Sequence, residues 1–130
     1  MTIDADLKAF ATARNFAALT TLMPDGQPQT QMMWVHADDD YVLINTEIGR
    51  QKFRNVSADP RVTVTVIDAD NPYRYIEARG RVVGTIGGQA ARDDIDDLSQ
   101  KYNGTPYANP IGTERVVLQI KPEKVHKNNV

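Results

Sequence analysis

The run Arg61-Val62-Thr63-Val64-Thr65-Val66 alternates valine with a polar residue, the period of a strand that buries one face and shows the other to its surroundings. Similar runs recur along the chain. Phe16 to Met23 and Pro28 to His36 flank Pro24-Asp25-Gly26-Gln27, a tight turn in which the glycine supplies a positive φ, and this is the strongest hairpin signal present. A second turn at Asp38-Asp39-Asp40 leads to a strand over Tyr41 to Thr46. Arg74 to Ile86 reads as one long strand bent at Gly80, and Arg115 to Val125 as the last. Six strands in meander order, with no regular helical crossover between them, predict a mainly β (α+β) fold, a six-stranded antiparallel barrel with short inserted helices.

Three helices fit between these strands. Residues 4 to 14 carry Asp4 or Asp6 as a cap and Leu7, Phe10 and Ala11 on one face. Gln89 to Tyr102 places Ile95, Leu98 and Tyr102 together. A short helix after Gly49 is anchored by Phe53 and Val56 and stopped by Asp59-Pro60. At 130 residues, without repeat or linker, the chain is read as a single domain over 1–130.

Composition narrows the function. Zero cysteines remove disulfides, thiolate metal sites and thiol nucleophiles together. A net charge of -2 argues against a general nucleic-acid binder, which needs many phosphate-neutralising cations. The N-terminal stretch lacks the pattern of a signal peptide, and no apolar run approaches the roughly 18 residues of a membrane span. The expectation is a soluble, cytoplasmic protein. His36 and His126 have no neighbouring acids at a ligand-like spacing, so no metal site is predicted. The Asp38-Asp39-Asp40 run lacks the pattern of a calcium loop, and G-x-S-x-G, Walker and G-x-G-x-x-G patterns are absent.

One segment stands apart: GRQKFRNVSADPRVTVTV, residues 49 to 66, clusters Arg50, Lys52, Arg54 and Arg61 in an otherwise acidic chain. Cations in the first turn of a helix oppose its dipole unless an anion sits there. Spacing alone leaves a solvated basic face and an anion site both open. Gln31-Met32-Met33-Trp34 holds the only tryptophan and two thioethers, suited to the apolar wall of a flat ring or to ordinary core.

The run R-x-K-x-x-N-x-x-x-D-P-R-V, here Arg50, Lys52, Asn55, Asp59, Pro60, Arg61 and Val62, resembles the flavin- and deazaflavin-binding split β-barrels related to pyridoxamine 5'-phosphate oxidase. The resemblance extends over ALTTLMPDGQPQTQMMWV, YIEARGRVV and ERVVLQIKPEKV, nearly the whole chain, and is greatest toward the oxidoreductases that use coenzyme F420, including the F420-dependent biliverdin reductases. It implies that Arg50 and Lys52 hold a cofactor phosphate, that Asn55 supports them and that Gly49 belongs to the same cofactor site. Asn45 and Thr46 would line the diphosphate or ribityl side, and Gln31, Met32, Met33 and Trp34 the ring. It further implies a homodimer with Tyr75 and the segment near His126 contributed by the partner, hydride transfer from reduced F420 to a small conjugated or unsaturated substrate, and no identified catalytic residue. FMN is the alternative cofactor; a carrier of flavin, F420 or haem is the alternative class. The ending KVHKNNV lacks the Arg-x-Arg type terminus of the pyridoxamine oxidases, so vitamin B6 chemistry is not expected.

Overall fold

The computed structural model describes residues 2–130. Helix α1 (Ala5–Thr12) is capped by Asp4, whose carboxylate accepts from the Leu7 N–H at 3.0 Å, and it buries Leu7, Phe10 and Ala11. There follow β1 (Phe16–Leu22), β2 (Pro28–Met33), β3 (His36–Ala37), β4 (Val42–Glu47), α2 (Gln51–Ala58), β5 (Arg61–Ile67), β6 (Tyr75–Ile86), α3 (Gly88–Asn103) and β7 (Arg115–Asn128). Gly26 closes the β1–β2 turn at φ 88°, a conformation that costs a residue with a Cβ.

All strands belong to one antiparallel sheet in the order β2-β1-β5-β6-β7-β4-β3. The expected single strand over Pro28 to His36 is therefore two, and the count is seven rather than six. Met33 pairs with Ala17 of β1, whereas His36 pairs with Leu43 of β4, so the chain leaves one edge of the sheet and joins the other across Trp34 and Val35 alone. Three residue steps span at most about 10 Å. The two edges must therefore lie that close, which curls the sheet into a barrel with a seam at Trp34–Val35. Periodicity does not mark such a break, because both halves remain extended.

Val62, Val64 and Val66 of β5 point into the barrel with Leu19, Val42, Ile44, Ile76, Leu118 and Ile120, and Leu7 and Phe10 cover this core from α1. Each such side chain contributes about 1.5–3 kcal/mol when fully buried. Ile95, Leu98 and Tyr102 of α3 form a second cluster with Phe16, Trp34 and Tyr107. At Gly80 the β6–β7 register shifts, as the sequence predicted for a bend, and a Cβ there would overlap the Lys121 carbonyl oxygen.

Candidate functional site

Strand β4 is buried along its whole length, because its inner face meets the core and its outer face meets α3. Its last residue, Glu47, is a buried acid and needs partners to stay charged. Thr113 supplies them: its backbone N–H donates to Oε1 at 2.7 Å and its hydroxyl at 3.3 Å. Arg50 Nη2 donates to Oε2 at 3.0 Å, and Arg115 Nη2 lies 3.6 Å from the same oxygen. The Thr113 N–H, with Arg50 and Arg115, holds this carboxyl below its ordinary range although burial opposes it.

Three residues after Glu47 the chain turns into α2. Arg50 is its N-cap and makes no side-chain cap to the helix, and no acid occupies the first turn. Lys52, only 5 % exposed, sits in that turn. Burial depresses its affinity for a proton, and repulsion from Arg50 and Arg115 adds to that; among the described residues no acid compensates. Arg50 and Arg115 thus share a single carboxylate, and Lys52 adds a third cation to the same cleft. The local charge is net positive in a chain that is net acidic.

The three cations line a cleft of about 260 Å³ together with the apolar side chains of Met32, Met33, Trp34, Ile95 and Leu98. Asn45, Thr46, Tyr107, Asn109 and Arg115 complete the lining. Trp34 stacks on Tyr102 with ring centroids 5.1 Å apart and 6° between planes, and Tyr107 meets it edge-on at 6.3 Å. Lys101 and Tyr102 fasten the seam. Lys101 Nζ donates to the Val35 and Ala11 carbonyls at 2.6 and 2.9 Å, and burial lowers its pKa to about 8. The Tyr102 hydroxyl bonds to the carbonyls of Asn15 and Val35.

Seven of the residues singled out in the sequence line this cleft: Met32, Met33, Trp34, Asn45, Thr46, Arg50 and Lys52. Four do not. Gln31 is an exposed residue of the edge strand β2, opposite Leu19. Gly49 sits against Thr113, its N–H donating to the Thr113 hydroxyl at 3.1 Å. Asn55 is buried on the other side of α2, where its amide donates to Thr21 Oγ1 at 2.9 Å and its carbonyl accepts from Gln51 at 2.8 Å. Tyr75 opens β6, between Ile67 and Asn128. Arg54, clustered with these cations in the sequence, is engaged elsewhere: it donates to the Gly49 carbonyl and to Gln51.

Glu47, Arg115, Tyr107, Asn109, Ile95 and Leu98 complete the site without a local sequence signal for it. Arg115 opens β7 and is 63 residues from Lys52 in sequence; only the β4–β7 pairing of Glu47 with Arg115 brings it beside α2. A line of polar contacts extends from it. Arg115 Nη1 donates to Asn45 Oδ1 at 3.4 Å, Asn45 Nδ2 donates to Asp94 Oδ2 at 2.9 Å, and His36 Nε2 lies 2.8 Å from the other Asp94 oxygen. Among the described residues, no group of three or more His, Asp or Glu converges as metal ligands would, and no helix is long and apolar enough to cross a membrane.

The family described as "Pyridoxamine 5'-phosphate oxidase" matches residues 3–129. Among solved structures, one titled "F420 Reductase" is 30% identical with a TM-score of 0.80, covering 95% of this chain and 98% of that one. A conserved hypothetical protein from Mycobacterium tuberculosis is 23% identical (TM-score 0.74; 98% of this chain, 85% of that one). General Stress Protein 26 from Bacillus anthracis is 17% identical (TM-score 0.68; 95% and 94%). The last two share the fold. No curated protein matches the sequence.

Proposed function

Because this chain belongs to the pyridoxamine 5'-phosphate oxidase family, we propose that its cleft is a cofactor site and that the protein is a cytosolic oxidoreductase using reduced coenzyme F420 on a small conjugated or unsaturated substrate. The carrying observation is Lys52, a buried cation beside two further cations and, among the described residues, without an acid of its own, in a cleft with an apolar wall. A phosphate supplies the missing charge, and a flat ring suits the wall of Met32, Met33 and Trp34. The buried Arg115 Nε, without a hydrogen-bond partner among the described residues, supports an acceptor beside these cations. The likeness to a structure titled F420 Reductase supports a deazaflavin.

When bound, the reduced deazaflavin supplies a hydride, and the protein's share is to bind, orient and exclude competing routes. Arg50, Lys52 and Arg115 bind the phosphate. Glu47 keeps Arg50 and Arg115 converged while consuming only part of their charge. Trp34, held by its stack on Tyr102, limits where a ring can lie. Gly49 and Asn55 act at one remove, Gly49 by docking on Thr113 and Asn55 by seating α2 against β1.

At about 260 Å³ the cleft is smaller than the roughly 300–1,000 Å³ typical of small-molecule sites. A second copy covering it would complete the walls, and Met32, 60% exposed at its edge, offers the apolar surface for that. Gln31 beside it and Tyr75 on β6 then serve the interface or the partner's cleft rather than their own. FMN is the second reading, because a phosphate cradle built from these cations would accept either phosphate-bearing cofactor.

Titration of the purified protein with F420 and with FMN, followed by cofactor fluorescence, tests the proposal. Binding of F420 with turnover on conjugated acceptors is expected, with loss of affinity in Arg50→Ala/Lys52→Ala. Unchanged affinity in that double variant would refute the phosphate cradle; tight binding without turnover on any acceptor would favour a carrier.

A further inference from the structure

Tyr107 belongs to no motif and reaches the cleft from the loop between α3 and β7. Its hydroxyl lies 2.7 Å from Arg115 Nη2, and the Arg115 guanidinium stands over its ring, 4.8 Å from the centroid. Guanidinium carries five N–H donors and no acceptor. In this pair the phenol oxygen can only accept, so the phenolic hydrogen must point away from Arg115. Among the described residues it finds no acceptor, since the contact with Arg115 is the only hydrogen bond of that hydroxyl.

The residue that carries this donor is held by its backbone and by its ring. The Tyr107 backbone N–H donates to Asp96 Oδ1 at 3.0 Å, Asp96 is itself paired with Arg92 at 2.8 Å, and Trp34 abuts the ring edge-on. A hydroxyl fixed in this way makes a hydrogen bond at little cost in side-chain entropy. It also stands where the apolar wall meets the cations, with Trp34 on one side and Arg115 on the other.

We infer that Tyr107 is a ligand-binding residue that donates its phenolic hydrogen to an anionic oxygen held by Arg115, so that Arg115 and Tyr107 together grip a phosphate ester on an aromatic ligand. Arg115 is thereby a two-sided device. One of its N–H groups orients the phenol, and its charge, with that of Lys52 and Arg50, draws the oxygen that the phenol then receives. A hydrogen bond to a charged acceptor of this kind corresponds to roughly tenfold in affinity. The inference rests on the cofactor reading for the nature of the ligand, and its own content is the direction of one hydrogen bond.

Tyr107→Phe removes the hydroxyl and keeps the ring that packs on Trp34. Wild type, Tyr107→Phe and Lys52→Met are titrated with F420, with the deazaflavin and its ribityl chain lacking the phosphate, and with inorganic phosphate read by 31P line broadening. The expected result is about a tenfold loss for Tyr107→Phe on F420 and a similar loss on phosphate, with the phosphate-free compound unaffected. Equal losses on the phosphate-bearing and phosphate-free compounds would overturn the inference, because the hydroxyl would then serve the ring. Unchanged F420 and phosphate affinity in Tyr107→Phe, against a loss in Lys52→Met, would overturn it while leaving the cofactor reading intact. Failure of wild type to bind F420 would refute that reading alone; the Tyr107 donor then stands or falls on the phosphate titration.

Discussion

Replacing Lys52 by methionine separates binding from folding, because the side chain is buried and yet paired with no acid among the described residues. Methionine keeps the packing of the stem and removes the charge. A unit charge about 4 Å from an anion is worth about 4 kcal/mol at an effective dielectric of 20, and desolvation of both groups cuts the net value to about 1.5–3 kcal/mol. Affinity for F420 or FMN should fall by about 10- to 100-fold. Stability of the ligand-free protein should hold or rise by about 1 kcal/mol, or about 4 °C in Tm, since a charge that burial and two neighbouring arginines disfavour is gone. The pH dependence follows from the same cause. The folded chain binds the Lys52 proton more weakly than the unfolded chain, whose lysine keeps its ordinary value of 10.5. The cost of the charged form is therefore fully present below the folded pKa, and stability climbs as pH rises from there toward 10.5. Urea unfolding across that window should show this climb in wild type and its absence in the variant, after other groups are accounted for by the difference between the two. A variant that unfolds more easily and binds as before would refute the reasoning, for Lys52 would then be a structural cation.

Two further substitutions test the frame around the site. Gly80→Ala should cost about 2–4 kcal/mol by urea unfolding, because the new methyl overlaps the Lys121 carbonyl and the β6–β7 ladder must shift to make room; a loss under 0.5 kcal/mol would mean the bulge tolerates a side chain. Asn55→Ala should destabilise by about 2 kcal/mol through the unpaired Thr21 and Gln51 groups, while cofactor affinity of the folded fraction changes less than about threefold; a larger affinity loss with stability intact would return Asn55 to the ligand.

The hairpin at Gly26, the caps of α1 and the end of α2 at Asp59-Pro60 are legible in the chain because each depends on neighbours within a few residues. Alternating valines likewise announce the inward face of β5. The strand break at Trp34–Val35 escaped notice for the opposite reason. It depends on which partner each half finds, β1 for Met33 and β4 for His36, and the chain stays extended through the change. Arg54 shows the same limit at the scale of one side chain: its position beside Arg50 and Lys52 left its role open, and in the fold it turns back to bond the Gly49 carbonyl.

The cation-rich start of α2 and the Met-Met-Trp run were determined by sequence alone, since charge and apolarity travel with the residues themselves. Whether those cations are free was decided only by tertiary structure. Pairing β4 with β7 set Arg115 and Glu47 side by side, the packing of α2 buried most of Lys52 with no carboxylate among the described residues to pair it, and the loop after α3 brought the Tyr107 hydroxyl to Arg115. The physical reason is that a charge acts over a few ångströms once it is buried, and those ångströms are bridged by residues more than sixty positions apart.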